Sequence, residues 1–310
     1  MASDGDEQTD RLEREILPAG ALDFPLALAY VHGWTASTQE RVDLETATWR
    51  RALTLDGRDV LVTLSPGPTP DTLVLEVAGK GACTQTLDAA ERVVRRVFAL
   101  DADPAPFEAL AAGDDILTPL VAPYPGMRPV VIPDLYETLI WAILGQQINV
   151  GFARRLKERL VETAGHSIEI DGASYPLLPR PEEVAEIDPA ALLALQFSRQ
   201  KAAYVIGVSQ EIAAGRLDLN ALASLPDDEA IAELIRLRGV GRWTAEYLLM
   251  RGLGRTDVIP AGDVSLQLLI GTAALGRRAN EAELREIADR WRPWRAWATF
   301  FVWMSRQFGG

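Results

Sequence analysis

The sequence predicts an α+β fold: an N-terminal antiparallel sheet backed by helices, followed by a long all-α region in two lobes. Three observations predict it. Two β-type runs, Asp59-Val60-Leu61-Val62-Thr63-Leu64 and Thr72-Leu73-Val74-Leu75-Glu76-Val77, flank the turn signal Ser65-Pro66-Gly67-Pro68-Thr69-Pro70-Asp71. Beyond residue 101, apolar residues recur at helical spacing, and only 167–170 reads as a short strand. That helical stretch, about two hundred residues, approaches the size at which a single hydrophobic core stops growing, hence two lobes.

Taken in order, residues 1–15 hold Asp4, Asp6, Glu7, Asp10, Glu13 and Glu15 against Arg11 and Arg14, the composition of an acidic disordered tail. Residues 16–102 form the α+β domain. Within it, 24–32 is expected as a short helix and 41–55 as one or two further strands. Residues 87–100 read as an amphipathic helix with Val93, Val94, Val97 and Phe98 on one side. From 103 to 310, helices are expected at 104–112, 132–147, 151–164, 181–187, 189–195, 198–214, 227–237, 242–251, 263–275, 281–290 and 294–307. Short loops punctuated by Pro and Gly separate them.

Of the 310 residues, 48% are hydrophobic, so a sizeable core is available. No apolar run reaches membrane-spanning length and the N-terminus is acidic, which predicts a soluble cytoplasmic protein that is monomeric by default. Cys83 is the single cysteine, which excludes an internal disulfide and any four-cysteine zinc or iron–sulfur site. With His32 and His166 the only histidines, no side-chain metal site is expected. The net charge of −13 argues at first against a nucleic-acid partner, which needs positive surface. The distribution answers this: between positions 236 and 255, Arg236, Arg238, Arg242, Arg251 and Arg255 face Glu246 alone.

Those arginines surround the stretch that carries the chemistry. A helical pattern with Ile231, Leu234 and Ile235 leads to Leu237-Arg238-Gly239-Val240-Gly241, and a second helix opens at Arg242-Trp243-Thr244. A glycine hairpin that opens a helix presents backbone N–H groups and a helix dipole to an anion such as a phosphate. An apolar run then ends in Ile259-Pro260-Ala261-Gly262-Asp263, where the aspartate is also suited to cap the next helix.

Hairpin and Pro260-Ala261-Gly262-Asp263 at this separation resemble the helix-hairpin-helix (HhH-GPD) DNA glycosylase superfamily, closest to the bacterial DNA-3-methyladenine glycosylase II group. The resemblance covers the helical region and more loosely the N-terminal domain, which in that group is likened to half of the TATA-binding protein fold. It implies a partner, double-stranded DNA with damaged bases, gripped at the phosphate backbone by Gly239, Val240, Gly241, Arg242 and Thr244. It makes Asp263 the catalytic carboxylate. Breaking an N-glycosidic bond leaves an oxocarbenium-like sugar, which a carboxylate stabilises while assisting water. Members that also cut the strand carry a lysine where this chain has Trp243, so hydrolysis without lyase activity is expected.

By the same resemblance Trp243, Tyr247 and Trp303 line the pocket for a flipped-out base. Alkylated purines such as 3-methyladenine and 7-methylguanine are cationic, and each aromatic face favours a cation by roughly 0.5–2 kcal/mol. Gln146 and Gln147, in Ile143-Leu144-Gly145-Gln146-Gln147-Ile148-Asn149, match the wedge that fills the vacated stack, with Gln147 where bacterial relatives have leucine. Ser198-Arg199-Gln200-Lys201 and Trp291-Arg292-Pro293-Trp294-Arg295-Ala296-Trp297 resemble further segments of the group. No cofactor is required, but a structural monovalent or divalent cation is expected at the hairpin through the carbonyls of Leu237 and Gly239. Two other readings fit the same residues: a same-fold glycosylase for uracil, deaminated or oxidised bases, and a non-catalytic damage-binding module that uses the hairpin only for phosphate.

Overall fold

The computed structural model describes residues 9–34 and 39–308. Five strands form one antiparallel sheet: β1 (Asp10–Ile16), β2 (Glu40–Asp43), β3 (Thr48–Leu55), β4 (Arg58–Pro66) and β5 (Leu73–Gly79), in the order β1-β5-β4-β3-β2. Its alternation sorts the side chains. Val60, Val62 and Leu64 of β4 and Leu75 and Val77 of β5 face α1 (Phe24–Trp34) and α2 (Thr84–Val97), where Leu28, Ala90 and Val94 complete the packing.

Two expectations are corrected here. Residues 10–15, assigned to the acidic tail, form the edge strand β1 together with Ile16, paired with β5 from Asp10↔Gly79 to Ile16↔Leu73. Ile16 is fully buried, and Arg11 and Arg14 neutralise the acids around them: Arg11 pairs with Glu76, and Arg14 with Asp88 and Glu91. The rest of the predicted tail, residues 1–8, lies outside the described residues. The helical region is also not purely α. A hairpin, β6 (Ser167–Ile170) and β7 (Ala173–Pro176), turns through Asp171-Gly172 and lays Ile170 and Tyr175 on the outer face of the sheet against Ala52, Leu61 and Ala78. The expectation of one short strand captured half of it.

The remaining helices are α3 (Ala105–Ala112), α4 (Thr118–Val121), α5 (Leu135–Gly145), α6 (Val150–Ala164), α7 (Pro181–Ala185), α8 (Pro189–Ala194) and α9 (Arg199–Ala213). Then come α10 (Asp227–Ile235), α11 (Arg242–Arg251), α12 (Val264–Leu275), α13 (Glu281–Ala288) and α14 (Arg295–Phe308). They sort into two groups by contact. In one, α5 packs on α6, α9 and α11, with α7, α8 and α10 outside them. In the other, α14 packs on α1, α4 and α12, and α13 lies against α12. The second group therefore uses chain from both sides of the first.

A buried ion network seats the first group on the sheet. Glu137 of α5 pairs with Arg51 of β3 and Lys157 of α6, and Arg51 also reaches Glu40 of β2 at 3.3 Å. Burial pushes the Glu137 carboxyl up, but Arg51 and Lys157 outweigh it and hold it below the usual range. Among the described residues, no helix is long and apolar enough to cross a membrane.

Candidate active site

The glycine hairpin joins α10 to α11. Gly239 has φ +93°, and a Cβ there would collide with the Tyr204 ring, so this position admits only glycine. Gly241 is the N-cap of α11 and has no side chain to offer, which leaves first-turn N–H groups for an outside acceptor.

The hairpin is braced from below. Gln146, just past α5, donates its amide to the Gly239 carbonyl at 2.9 Å and to the Thr244 hydroxyl at 3.1 Å. Lys201 of α9 in turn donates to the carbonyls of Ile143, Leu144 and Gln146 at 3.0, 2.8 and 2.8 Å, closing the C-terminus of α5. Burial pushes its ammonium down to about 8. Gln147 is exposed, with φ +58° in the left-handed region.

Asp263 is the N-cap of α12. Its Oδ1 accepts from the Ser265 and Leu266 N–H groups, each at 2.9 Å, and from the Ser265 hydroxyl at 2.5 Å. Among the described residues Oδ2 has no donor, so one oxygen orients the carboxylate while the other stays open to a reactant. The loop before it is fixed as well: Asp263 N–H donates to Pro260 O, and Gln267 donates to Ala261 O at 2.8 Å. Trp243 Cβ lies so near Gly262 that a Cβ added there would stand 3.4 Å from it. The catalytic candidate and the first pocket ring are thus neighbours across a glycine.

Asp263 lines a cleft of about 580 Å³ between the two helix groups, together with Trp141, Trp243 and Tyr247 from one side and Tyr30 and Trp303 from the other. Trp243 and Tyr247 have ring centroids 5.3 Å apart at 35°, and Tyr247 and Trp303 are 5.9 Å apart at 38°. A larger cleft of about 860 Å³, between the sheet and the α9 end, contains neither the aromatic trio nor Asp263.

The inner end of the cleft is polar. Trp141 Nε1–H donates to the Tyr247 hydroxyl at 3.0 Å, and Arg251, one turn further along α11, donates to the Tyr30 hydroxyl at 3.2 Å. Burial pushes the Tyr247 phenol up to about 12. Glu246, on the same helix, pairs with Arg242 at 2.9 Å and with Arg285 of α13 at 2.8 Å, and Arg285 reaches the Ile259 carbonyl. This chain of contacts ties the hairpin to the loop that carries Asp263.

The structure thus brings Asp263, Trp243, Tyr247 and Trp303 to one cleft and divides the rest. Of the five residues assigned to the phosphate grip, Gly241 and Arg242 are exposed. Val240 and Thr244 turn inward, with their side chains in the core and the Val240 N–H spent on Leu237 O. The Gln146 amide, expected at the wedge, is spent on Gly239 and Thr244, while Gln147 is exposed. The Leu237 and Gly239 carbonyls, where a cation is expected, accept one hydrogen bond each, from Val240 N–H and from Gln146, and each keeps a second lone pair. Arg251 is buried and Arg255 caps carbonyls at 223 and 225, so neither belongs to a phosphate face. Arg292 and Arg295 both pair with Asp257, while Trp291, Trp294 and Trp297 are packing residues. Sequence reasoning missed Trp141, Tyr30 and Arg285. Each reaches the site from a distant helix, without a local signal.

Two helix groups meeting over an aromatic cleft, with a glycine hairpin and a helix-capping carboxylate, define a helix-hairpin-helix protein. Residues 140–293 match the family described as "HhH-GPD superfamily base excision DNA repair protein", and residues 20–133 match the AlkA N-terminal domain. The DNA-3-methyladenine glycosylase of Bacillus subtilis is 37% identical over 217 residues, 69% of this chain and 72% of that protein. The 3-methyladenine DNA-glycosylase of Archaeoglobus fulgidus superposes with a TM-score of 0.83 at 25% identity, over 96% of this chain and 99% of that one. The 3-methyladenine DNA glycosylase of Schizosaccharomyces pombe, solved with abasic DNA, gives 0.56 at 26% identity, over 65% and 97%. The chain belongs to the HhH-GPD superfamily of base excision DNA repair proteins.

Proposed function

We propose that this protein is a monofunctional DNA glycosylase that hydrolyses the N-glycosidic bond of flipped-out alkylated purines in double-stranded DNA. One observation carries the reading: Asp263 is held by a single carboxylate oxygen at the rim of the cleft that contains Trp243, Tyr247 and Trp303. The aromatic rings enclose the base, and the open oxygen meets the positive charge that develops on the sugar. An alkylated purine already carries positive charge, so it leaves without a strong acid at the base. The relatives from Bacillus subtilis and Archaeoglobus fulgidus, both named 3-methyladenine glycosylases, support the same class of substrate. The absence of lyase activity rests on Trp243. Among the described residues the cleft lining contains Arg154, Arg251 and Arg306 but no lysine, so no amine is at hand for a Schiff base.

The test is release of free methylated bases from alkylated DNA, analysed by chromatography. Wild type releases 3-methyladenine and 7-methylguanine. Asp263→Asn keeps DNA binding and loses at least a hundredfold in release. Full activity in that variant overturns the assignment of Asp263, and binding without release by wild type supports the damage-binding module instead.

A further inference from the structure

Trp141 and Arg251 decide what the inner end of the cleft can recognise. An indole N–H and a guanidinium donate hydrogen bonds and accept none. The Tyr247 hydroxyl accepts from Trp141 at 3.0 Å and lies against Arg251, so it can return its hydrogen to neither. Among the described residues it has no acceptor. The same holds for the Trp243 indole N–H, which is shielded from solvent and has no acceptor among the described residues. Both residues line the cleft. Gln307 also lines it, with its amide nitrogen committed to the Tyr30 carbonyl at 2.9 Å and its oxygen left over. Burial keeps the Tyr247 phenol protonated well beyond neutral pH. A buried donor without an acceptor costs free energy until a ligand satisfies it, and such a site rejects ligands that cannot.

We propose that Tyr247 is a specificity-determining residue whose hydroxyl donates to a ring carbonyl of the bound base, so that the pocket prefers 6-oxopurines to 6-aminopurines. The inference rests on the glycosylase reading and narrows its substrate class. A 6-oxopurine offers the carbonyl to Tyr247 and Trp243, and its N1–H can meet the Gln307 oxygen. A 6-aminopurine presents a donor where the pocket already has donors. Guanine-derived and deaminated purines are therefore favoured, 7-methylguanine and hypoxanthine above 3-methyladenine.

The test compares single-turnover release of 7-methylguanine, hypoxanthine and 3-methyladenine by wild type and Tyr247→Phe, which keeps the ring and removes the hydroxyl. Release of the two oxo bases is expected to fall about tenfold, and that of 3-methyladenine less than threefold; a loss of folding would lower all three alike. Equal changes, or none, overturn the inference while leaving the glycosylase reading intact. Titration of wild-type tryptophan fluorescence with free hypoxanthine and free adenine decides it without catalysis: hypoxanthine must bind at least fivefold tighter, and equal affinity overturns it. Release of no base at all overturns the glycosylase reading itself.

Discussion

The side-chain amide of Gln146 donates to the carbonyl oxygen of Gly239 at 2.9 Å, joining the loop after α5 to the glycine hairpin before α11. A second bond to Thr244 and the Lys201 cap beneath make the two loops one rigid unit. The position of Gln147 relative to the first-turn N–H groups of α11 is thereby fixed.

Two neighbouring glutamines should then behave differently. Gln146→Ala removes two hydrogen bonds at a half-buried site, each worth about 1 kcal/mol, and is expected to lower unfolding stability by about 1–3 kcal/mol and raise KM for DNA. Gln147→Ala touches solvent only and should leave stability within about 0.5 kcal/mol of wild type while slowing base extrusion. Urea unfolding and 2-aminopurine fluorescence of a flipped probe separate the two. Equal stability losses would contradict the division into brace and wedge.

What the sequence made legible follows from how local each signal is. The hairpin, the Asp263 cap and the register of Trp243 and Tyr247 depend on residues within one turn of each other, and all stand where the pattern puts them. The strand β1 was not legible because six acids outweighed the weak Leu12 and Ile16 alternation, while the acids that Arg11 and Arg14 pair with, Glu76 and Glu91, lie far along the chain. Gln146 could be seen as near the DNA face but not as spent, since its partner is 93 residues away. Local arginine density misled for the same reason: Arg251 and Arg255 sit in a basic run yet are used inside the protein.

That sorting predicts which arginine grips DNA. Arg238 is exposed beside Gly239 and has no ion pair among the described residues, whereas Arg255 caps carbonyls and pairs with Asp227. Arg238→Ala should weaken binding evenly across sequences and reduce the slope of log K against log salt by about one. Arg255→Ala should cost stability and leave the slope unchanged. A salt titration by fluorescence anisotropy gives both values, and an unchanged slope for Arg238→Ala would remove it from the interface.

Trp243 stands on the first turn of α11, next to the Asp263 loop, and the proposed absence of lyase activity rests on it. Borohydride reduction traps the Schiff base of a strand-cutting enzyme. With this protein and DNA containing an abasic site, no covalent adduct is expected, and the strand should stay intact until alkali is added. A trapped adduct would show that another amine reaches the sugar and that the chemistry is not purely hydrolytic.

The seat of the helices on the sheet gives a prediction that needs no DNA. Glu137 is the anion shared by Arg51 and Lys157 in a dry interface. Removing its charge takes the shared carboxylate from Arg51 and Lys157, with Glu40 at 3.3 Å from Arg51 the remaining acid, and breaking such a buried pair typically costs about 3–5 kcal/mol. Glu137→Gln should therefore lose about that much in urea unfolding at pH 7. The pH dependence follows from the direction of the shift. The folded carboxyl is held below its ordinary value of 4.5, so as pH falls through this region the unfolded chain takes up a proton that the folded one resists. The Glu137 contribution is thus complete above the ordinary carboxylate pKa and is lost as pH falls through the lower folded value. Wild type should lose stability more steeply than Glu137→Gln below pH 4.5, and the gap between them should narrow. Parallel curves would mean that the charge of Glu137 does not hold the sheet and the helices together.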